Sequence, residues 1–234
     1  MKLAIMQPYI FPYLGYFQLI HACDTFISLN DVNFIKQGWI NRNQVLINGK
    51  PSYFTVPLLQ ASSNKPINET KIHQDLYPKW KKGFMKSISQ SYAKSPNFES
   101  IYESLGLVLN NNYEFIDELA MDSIKMSLRH LSIERELIDS TSVAKNVNLR
   151  GVDRVMHVCE NFGATDYVNL PGGKELYSKE RFENKGIRLH FIQPGQMKYM
   201  QNTQEFHPNL SILDLLFNCT KEQLSNAVTN YQLV

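Results

Sequence analysis

A chain of 234 residues can bury one full core and, at most, a small subdomain beside it. Hydrophobic residues make up 43% and charged residues 20%, as in ordinary globular proteins, and a net charge of +2 gives no electrostatic reason to expect a nucleic-acid partner. No apolar run approaches the roughly 20 residues of a membrane-spanning helix. The N-terminal apolar stretch is broken by Gln7 and Pro8, which favours a strand over a signal peptide and predicts a cytoplasmic protein with no transmembrane segment.

The N-terminal part of the chain has the length and pattern of one βαβ unit. Residues 3–6 predict a strand, a loop with two prolines follows, a helix begins near Gly15, and residues 25–29 predict a second, parallel strand. Asn48-Gly49 then separates two runs rich in β-branched and aromatic residues, which indicates a hairpin. A polar surface loop is expected over residues 60–70.

The middle of the chain is helical and the last third returns to alternating strands and helices. Apolar periodicity predicts helices over residues 76–92, 98–109 and 113–131. Further on we expect a strand at 136–139, a helix over 151–162, a strand followed by a Pro-Gly-Gly turn and a short helix, a strand ending at Pro194, and one or two C-terminal helices capped by Asn209 or Ser211. The pattern predicts one α/β domain with a Rossmann-like central parallel sheet and a largely helical insertion at about 76–131.

The three cysteines and six histidines are scattered. Cys23, Cys159 and Cys219 form no close pair, so we expect them to be reduced and mostly buried, without a disulfide. No histidine spacing matches a zinc site, and no metal-based cofactor is expected.

The loop after the first strand is rich in tyrosine and carries Gln7, Tyr9, Tyr13 and Tyr16. Tyr13-Leu14-Gly15-Tyr16 is similar in placement to the His-x-Gly-His segment of HIGH-type nucleotidylyltransferases and pantothenate synthetases, which implies the same kind of fold. Both histidines are absent, and tyrosine supplies no positive charge near pH 7, so the likeness extends to the fold further than to the chemistry. The alternative is a tyrosine-rich structural turn.

A second cluster follows the second strand, and ligands bind at the carboxyl ends of strands in open α/β sheets. Its members are Asp31, Lys36, Trp39, Asn41, Arg42 and Asn43. Arg42 and Lys36 suit a phosphate or carboxylate, and Trp39 suits a sugar ring or base. The structural alternative is that Trp39 covers the core and Arg42 pairs with a surface carboxylate. Asn169, Gly172 and Gly173 follow a later strand, where a turn without a ligand is the alternative to close backbone approach.

Taken together, these segments resemble the WbqC-like protein family over nearly the full chain. The residues that carry the resemblance include Met6-Gln7-Pro8-Tyr9, Phe11-Pro12-Tyr13-Leu14-Gly15-Tyr16-Phe17, Asp31-Val32, Gly38-Trp39-Ile40-Asn41-Arg42-Asn43, Val56-Pro57-Leu58, Tyr167-Val168-Asn169 and Gly172-Gly173. The resemblance implies a bacterial protein encoded among genes for O-antigen or other surface polysaccharides, with transfer of glycine or another amino acid to an amino sugar as a suggested activity. Cys23 stands where Ala is expected, and Asn30 where the family often has Asp, which leaves Asp31 as the remaining carboxylate.

The leading functional hypothesis is an acyl or aminoacyl transferase that acts on an amino sugar or sugar nucleotide. Asp31 is the candidate base, with Asn41, Asn43 and the Gly172-Gly173 amides as donors to the oxyanion. The remaining candidates are assigned to substrate binding: Gln7, Tyr9, Tyr13, Tyr16, Lys36, Trp39, Arg42 and Asn169. The sequence does not decide whether the acyl group is activated by ATP or arrives as a thioester on an acyl carrier protein. The alternatives are an ATP-dependent ligase that forms an acyl-adenylate, a nucleotidyl transferase, and a non-catalytic sugar-nucleotide binding or assembly protein.

Overall fold

The computed structural model describes residues 1–142, 149–195 and 197–234 and has a mixed α/β architecture. The strands are β1 (Lys2–Met6), β2 (Thr25–Ser28), β3 (Arg42–Ile47), β4 (Lys50–Thr55), β5 (Glu136–Asp139), β6 (Asp166–Asn169), β7 (Arg188–Pro194) and β8 (Tyr231–Leu233). The helices are α1 (Leu14–Ala22), α2 (Tyr77–Tyr92), α3 (Phe98–Asn110), α4 (Ile116–His130), α5 (Gly151–Asn161), α6 (Lys179–Glu183), α7 (Ile212–Asn218) and α8 (Lys221–Thr229).

The central sheet has the strand order β5-β2-β1-β6-β7-β8 and is parallel except for β8. β1 and β2 are adjacent, with Leu3 opposite Thr25, and α1 joins them, which confirms the predicted βαβ unit. β2 and β5 follow β1 on one side, and β6 and β7 extend the sheet on the other side before the antiparallel β8, so the strand order reverses between β1 and β6. In sheets of this layout, ligands bind beyond the carboxyl ends of the strands at such a switch point.

Apolar residues cover both faces of this sheet because successive side chains of a strand point to opposite sides. Ala4 and Phe26 pack with α1 and the other helices of one core, whereas Ile5 and Ile27 pack in a second core. The second core also contains apolar residues of α5 and α6. The result is a layered α/β arrangement that leaves the carboxyl edge of the sheet for loops.

Most predicted elements are confirmed, and the differences have local causes. The hairpin forms a separate two-stranded sheet of β3 and β4. α4 begins at Ile116 and not at 113, because the carboxylate of Glu118 accepts hydrogen bonds from the Glu114 and Phe115 amides and fixes the helix start. The expected short helix directly after the Pro-Gly-Gly turn is wrong, since Pro171–Gly173 is itself a 3-10 turn and α6 begins only at Lys179.

At the C-terminal end, Ser211 caps α7 through its side chain, as one of the two predicted alternatives. β8 was not predicted, because three residues carry too little periodicity to identify a strand. Among the described residues, no helix is long and apolar enough to cross a membrane.

All three cysteines are buried and free, as predicted. Burial raises the pKa of the thiols of Cys23, Cys159 and Cys219 to about 12. A thiol with such a pKa is not a nucleophile near neutral pH. The described part of the chain also contains no group of three His, Cys, Asp or Glu side chains placed to hold a metal ion.

A buried carboxylate at the amino edge of the sheet is expected to make stability depend on pH. Asp166 accepts hydrogen bonds from Arg188 at 2.9 Å, His190 at 2.8 Å and Thr165 at 2.8 Å. Burial alone would raise the pKa of Asp166, but these hydrogen bonds outweigh it and lower the pKa to about 2. The stabilisation is therefore complete above the pKa of an unfolded Asp, about 4, and is lost as the pH falls to about 2.

We expect Asp166→Asn to lower the free energy of unfolding at pH 7 by about 2 kcal/mol and to flatten its decline between pH 4 and 2. Urea unfolding at a series of pH values measures both effects. Asp153→Asn, at an exposed position on α5, serves as the control. An unchanged pH slope in Asp166→Asn would contradict this assignment.

Candidate functional site

The loop between β1 and α1 is held rigidly at the carboxyl edge of the sheet. Phe11 is fully buried with a left-handed backbone (φ 40°), which is unfavourable for a bulky side chain unless its surroundings fix it. Its amide donates to the hydroxyl of Ser123 at 2.9 Å, and its carbonyl accepts from Asn43 and Ser211, both at 2.8 Å. Three elements distant in sequence therefore fix the loop that presents Tyr13.

Three predicted site residues are used to build this loop and its surroundings. The side-chain amide of Asn43 donates to the carbonyls of Ile10 and Phe11, at 3.1 and 2.8 Å. Tyr16 is fully buried and donates from its hydroxyl to the Gln7 carbonyl at 2.8 Å. Asn41 is buried and donates to the Val56 carbonyl at 3.0 Å. Asn43 and Tyr16 use their donors on this loop, and Asn41 uses one of its two side-chain N–H groups on Val56, so the function proposed below does not rely on these three side chains.

The start of α1 forms one wall of a cavity of about 730 Å³, a size typical of small-molecule sites. Tyr13 folds back over Gly15, whose position has no room for a larger residue, since an added Cβ would lie 2.5 Å from the Tyr13 ring. The opposite wall comes from the segment after β7. Tyr13, Gly15, Gln18, Met197, Lys198, Tyr199, Glu205 and Phe206 are among the lining residues.

Gln18 lines this cavity, and its side chain carries one buried hydrogen-bond acceptor. Its amide nitrogen donates to the carbonyls of Ala227 at 2.8 Å and Asn230 at 3.1 Å, which anchors the side chain to the end of α8. Its oxygen Oε1 is buried and has no hydrogen-bond partner in the described part of the chain. A buried acceptor without a partner is costly, so a ligand group that donates to Oε1 would be favoured here.

The far wall is fixed by Asp214, a fully buried carboxylate in the first turn of α7. It accepts hydrogen bonds from the hydroxyls of Tyr92 at 2.7 Å and Tyr199 at 2.6 Å, and from the Gln201 amide at 2.9 Å. Burial raises the pKa of Asp214, and the hydrogen bonds partly oppose that rise. The network joins α2 and α7 to the segment that carries Tyr199 on the cavity wall.

Asp31, the candidate base, lies beyond the end of β2 in an ion pair with Arg154. Arg154 is in the first half of α5, and its guanidinium lies 2.7 Å from Oδ2 of Asp31. The hydroxyl of Ser140 lies 2.7 Å from Oδ1 and 3.0 Å from the side-chain oxygen of Asn30. The Arg154 side chain is 5% exposed and that of Asp31 24% exposed, so the carboxylate still reaches the surface.

Beyond the end of β6, Asn169 shapes the turn that contains the two predicted glycines. Asn169 is buried and accepts a hydrogen bond from the Leu170 amide at 2.7 Å. An added Cβ on Gly173 would lie 2.6 Å from the Asn169 side-chain nitrogen, which explains the glycine. Gly172 is exposed, and nothing lies within 4 Å of where its Cβ would be. Its backbone is therefore open to a ligand.

The other cationic and aromatic candidates lie on a different surface. Lys36, Asn41 and Arg42 line a cavity of about 320 Å³ beside the β3–β4 hairpin. The Arg42 guanidinium carbon lies 4.3 Å from the centroid of the Tyr53 ring, and Trp39 packs against the same ring at 6.4 Å. Tyr9 is half-buried with its ring 5.6 Å from that of Tyr16. The structure thus places Tyr13 in one cavity and the Lys36–Arg42 group in another.

The larger cavity and the Asp31–Arg154 pair lie along the same edge of the sheet. Neighbouring strands are about 4.8 Å apart, so the ends of β7 and β2, three positions apart, are separated by roughly 14 Å. An extended ligand that runs across the switch point would pass the ends of β1 and β6, near Gln7 and Gly172. The sequence did not identify Gln18, Arg154, Lys198 or Tyr199, although a Gln among the apolar residues of α1 was a usable signal.

Comparison with known proteins adds a family match that spans most of the chain. The model of the WbqC-like protein family matches residues 7–226. An uncharacterized protein of Mycobacterium tuberculosis is 28% identical over 224 residues, which cover 94% of this chain and 95% of that protein. No solved structure matches the chain significantly.

Proposed function

This chain belongs to the WbqC-like protein family, and on that basis we propose that it transfers an acyl or aminoacyl group, such as glycine, to a nucleotide-linked amino sugar. Such a reaction would take place in the bacterial cytoplasm and supply O-antigen or another surface polysaccharide. The observation that carries the proposal is the cavity of about 730 Å³ beside the topological switch point of the sheet. This is where open α/β sheets bind nucleotides and related extended ligands.

The cavity suits the nucleotide end of such a ligand. Tyr13 and Phe206 offer aromatic surface for a base, and Oε1 of Gln18 is an acceptor for a base N–H or a ribose hydroxyl. Lys198 and the N-terminal end of α1 supply positive charge for the diphosphate. The sugar would then extend along the sheet edge toward Asp31.

Amide formation needs a base for the amine proton and a hydrogen-bond donor for the acyl oxygen, both at the sugar end of the ligand. The amine nitrogen bonds to the acyl carbon while the bond from that carbon to its carrier breaks, and the amine gives up a proton. We assign the proton to Asp31, which Arg154 and Ser140 hold in place. The open backbone at Gly172 is the proposed donor to the acyl oxygen as it gains negative charge.

An assay with defined donors tests this function. Purified protein is mixed with UDP-, GDP- and dTDP-linked amino sugars and an acyl thioester on a carrier protein, and the amide product is measured by mass spectrometry. We expect Asp31→Asn to lower turnover about 100-fold while the dissociation constant of the sugar nucleotide stays within about threefold. Asp75→Asn, an exposed position before α2, is the control. Unchanged turnover in Asp31→Asn would remove the acid–base role.

The placement of Tyr13 to Tyr16 at the start of α1 also supports a second candidate, an ATP-dependent ligase of the nucleotidylyltransferase type. In that case product forms from ATP and the free amino acid without a carrier protein, and pyrophosphate is released. Sugar-nucleotide binding without product from any donor would instead indicate a binding or assembly protein. Parallel reactions in which ATP and the free amino acid replace the carrier-bound thioester distinguish the three functions.

A further inference from the structure

A second polar pocket, of about 610 Å³, lies between α4 and β5 and is separate from the cavity at α1. Its lining includes Asn111, Asp117, Glu118, Asp122, Lys125 and Asp139. Four carboxylates and one lysine give it a net charge of three negative units when all are ionised. Lys125 lies 3.3 Å from Asp122, so the one lysine of the lining is already paired with a carboxylate, and the three remaining carboxylates keep the pocket negative.

One amide bridges two of the pocket's carboxylates, Asp117, which is buried, and Asp139, which is exposed. The side-chain nitrogen of Asn30 donates to Oδ2 of Asp117 at 2.8 Å and to Oδ2 of Asp139 at 2.7 Å. Oδ1 of Asp139 accepts from the amide and hydroxyl of Thr141. Three of the four carboxylate oxygens of Asp117 and Asp139 therefore accept hydrogen bonds.

That fourth oxygen, Oδ1 of Asp117, is buried and has no hydrogen-bond partner in the described ranges. Asp117 is 7% exposed, and an acceptor of this kind is expected to have a donor. Burial also raises the pKa of Asp117, and a positively charged donor would oppose that effect.

We propose that this pocket binds the primary ammonium group of a small organic ligand, with Oδ1 of Asp117 as its acceptor. A guanidinium pairs best with both oxygens of one carboxylate, and Oδ2 of Asp117 is already engaged with Asn30. The described residues offer no cluster of three side chains for a metal ion. A compact ammonium needs only one strong acceptor and a negative surrounding, and both are present here. The proposal stands independently of the acyl-transfer function.

The test compares putrescine with 1,4-butanediol, a neutral compound of the same length, by ¹⁵N–¹H NMR of the whole protein at pH 7. Putrescine is expected to cause saturable shifts at the amides of Asn112, Asp117 and Leu137, which weaken with added salt, and the diol is expected to cause none. Asp117→Asn should weaken putrescine binding about tenfold or more, because a hydrogen bond to a charged group is lost.

Equal shifts from the diol, or undiminished binding by Asp117→Asn, would overturn the ammonium site. The absence of shifts from both compounds would mean that Asp117 is only hydrated, and displacement of putrescine by millimolar Mg²⁺ would indicate a metal site instead. If Asp117→Asn does not fold, Asp122→Asn, which removes another carboxylate of the same lining, tests the charge dependence, with a severalfold loss of affinity expected. No loss in that variant, together with salt-independent shifts, would also contradict the proposal.

Discussion

Arg154→Met is expected to lower the free energy of unfolding by about 3–5 kcal/mol, because it leaves a partly buried carboxylate without its cation. Arg154 is almost fully buried and lies 2.7 Å from Asp31, which reaches the surface only in part. Met retains much of the apolar volume of the Arg side chain, so the loss reports mainly on charge and hydrogen bonding. The measurement is urea unfolding at pH 7 followed by circular dichroism.

Arg181→Met is the matched control for this experiment. Arg181 pairs with Asp153 of α5, but both side chains are more than half exposed. Arg181→Met should therefore lower the free energy of unfolding by less than about 1 kcal/mol. A double variant, Arg154→Met with Asp31→Leu, should recover part of the stability, because it removes both charges. If Arg154→Met is as stable as Arg181→Met, the ion pair does not hold the end of β2 against α5.

Asp214→Ala is expected to lower the free energy of unfolding by at least about 3 kcal/mol, since it leaves three donors in or near the core without an acceptor. These donors are the hydroxyls of Tyr92 and Tyr199 and the amide of Gln201. The variant should also weaken sugar-nucleotide binding, because Tyr199 lies on the wall of the α1 cavity. Unfolding and ligand titration on the same protein measure the two effects.

Asp153→Ala provides an exposed aspartate control for this variant, with an expected loss below about 1 kcal/mol. Tyr199→Phe separates the two effects, because it removes one donor to Asp214 and leaves the carboxylate in place. For Tyr199→Phe we expect the free energy of unfolding to fall by about 1 kcal/mol, and the ligand affinity to change less than in Asp214→Ala. A stable Asp214→Ala protein with unchanged binding would show that the network does not shape the cavity.

The sheet could be predicted from the sequence because its signals are local. The apolar runs of β1 and β2, the glycine at the start of α1 and Asn48-Gly49 each act within a few residues. The strand pairing of β1 with β2 then follows from the handedness and length of the connection. β8 escaped prediction because it is short and depends on pairing with β7.

The site was predicted only in part because its contacts link residues far apart in the chain. Arg154 meets Asp31 across 123 positions, and Tyr92 meets Asp214 across 122. Asn43 illustrates the same limit, since its spacing suggested a catalytic amide while its actual partners are carbonyls of the β1–α1 loop. A polar residue near a strand end can either contact a ligand or hold a loop, and only the fold distinguishes these roles.

The central claim is that a sugar nucleotide binds along the carboxyl edge, from the α1 cavity toward Asp31. The direct measurement is ¹⁵N–¹H NMR of the whole protein during titration with the UDP-, GDP- or dTDP-linked amino sugar that binds most tightly. We predict saturable shifts at the amides of Gly15, Gly172 and Lys198. Shifts confined to the neighbourhood of Lys36 and Arg42, or no saturable shifts with any of the three classes, would contradict the claim.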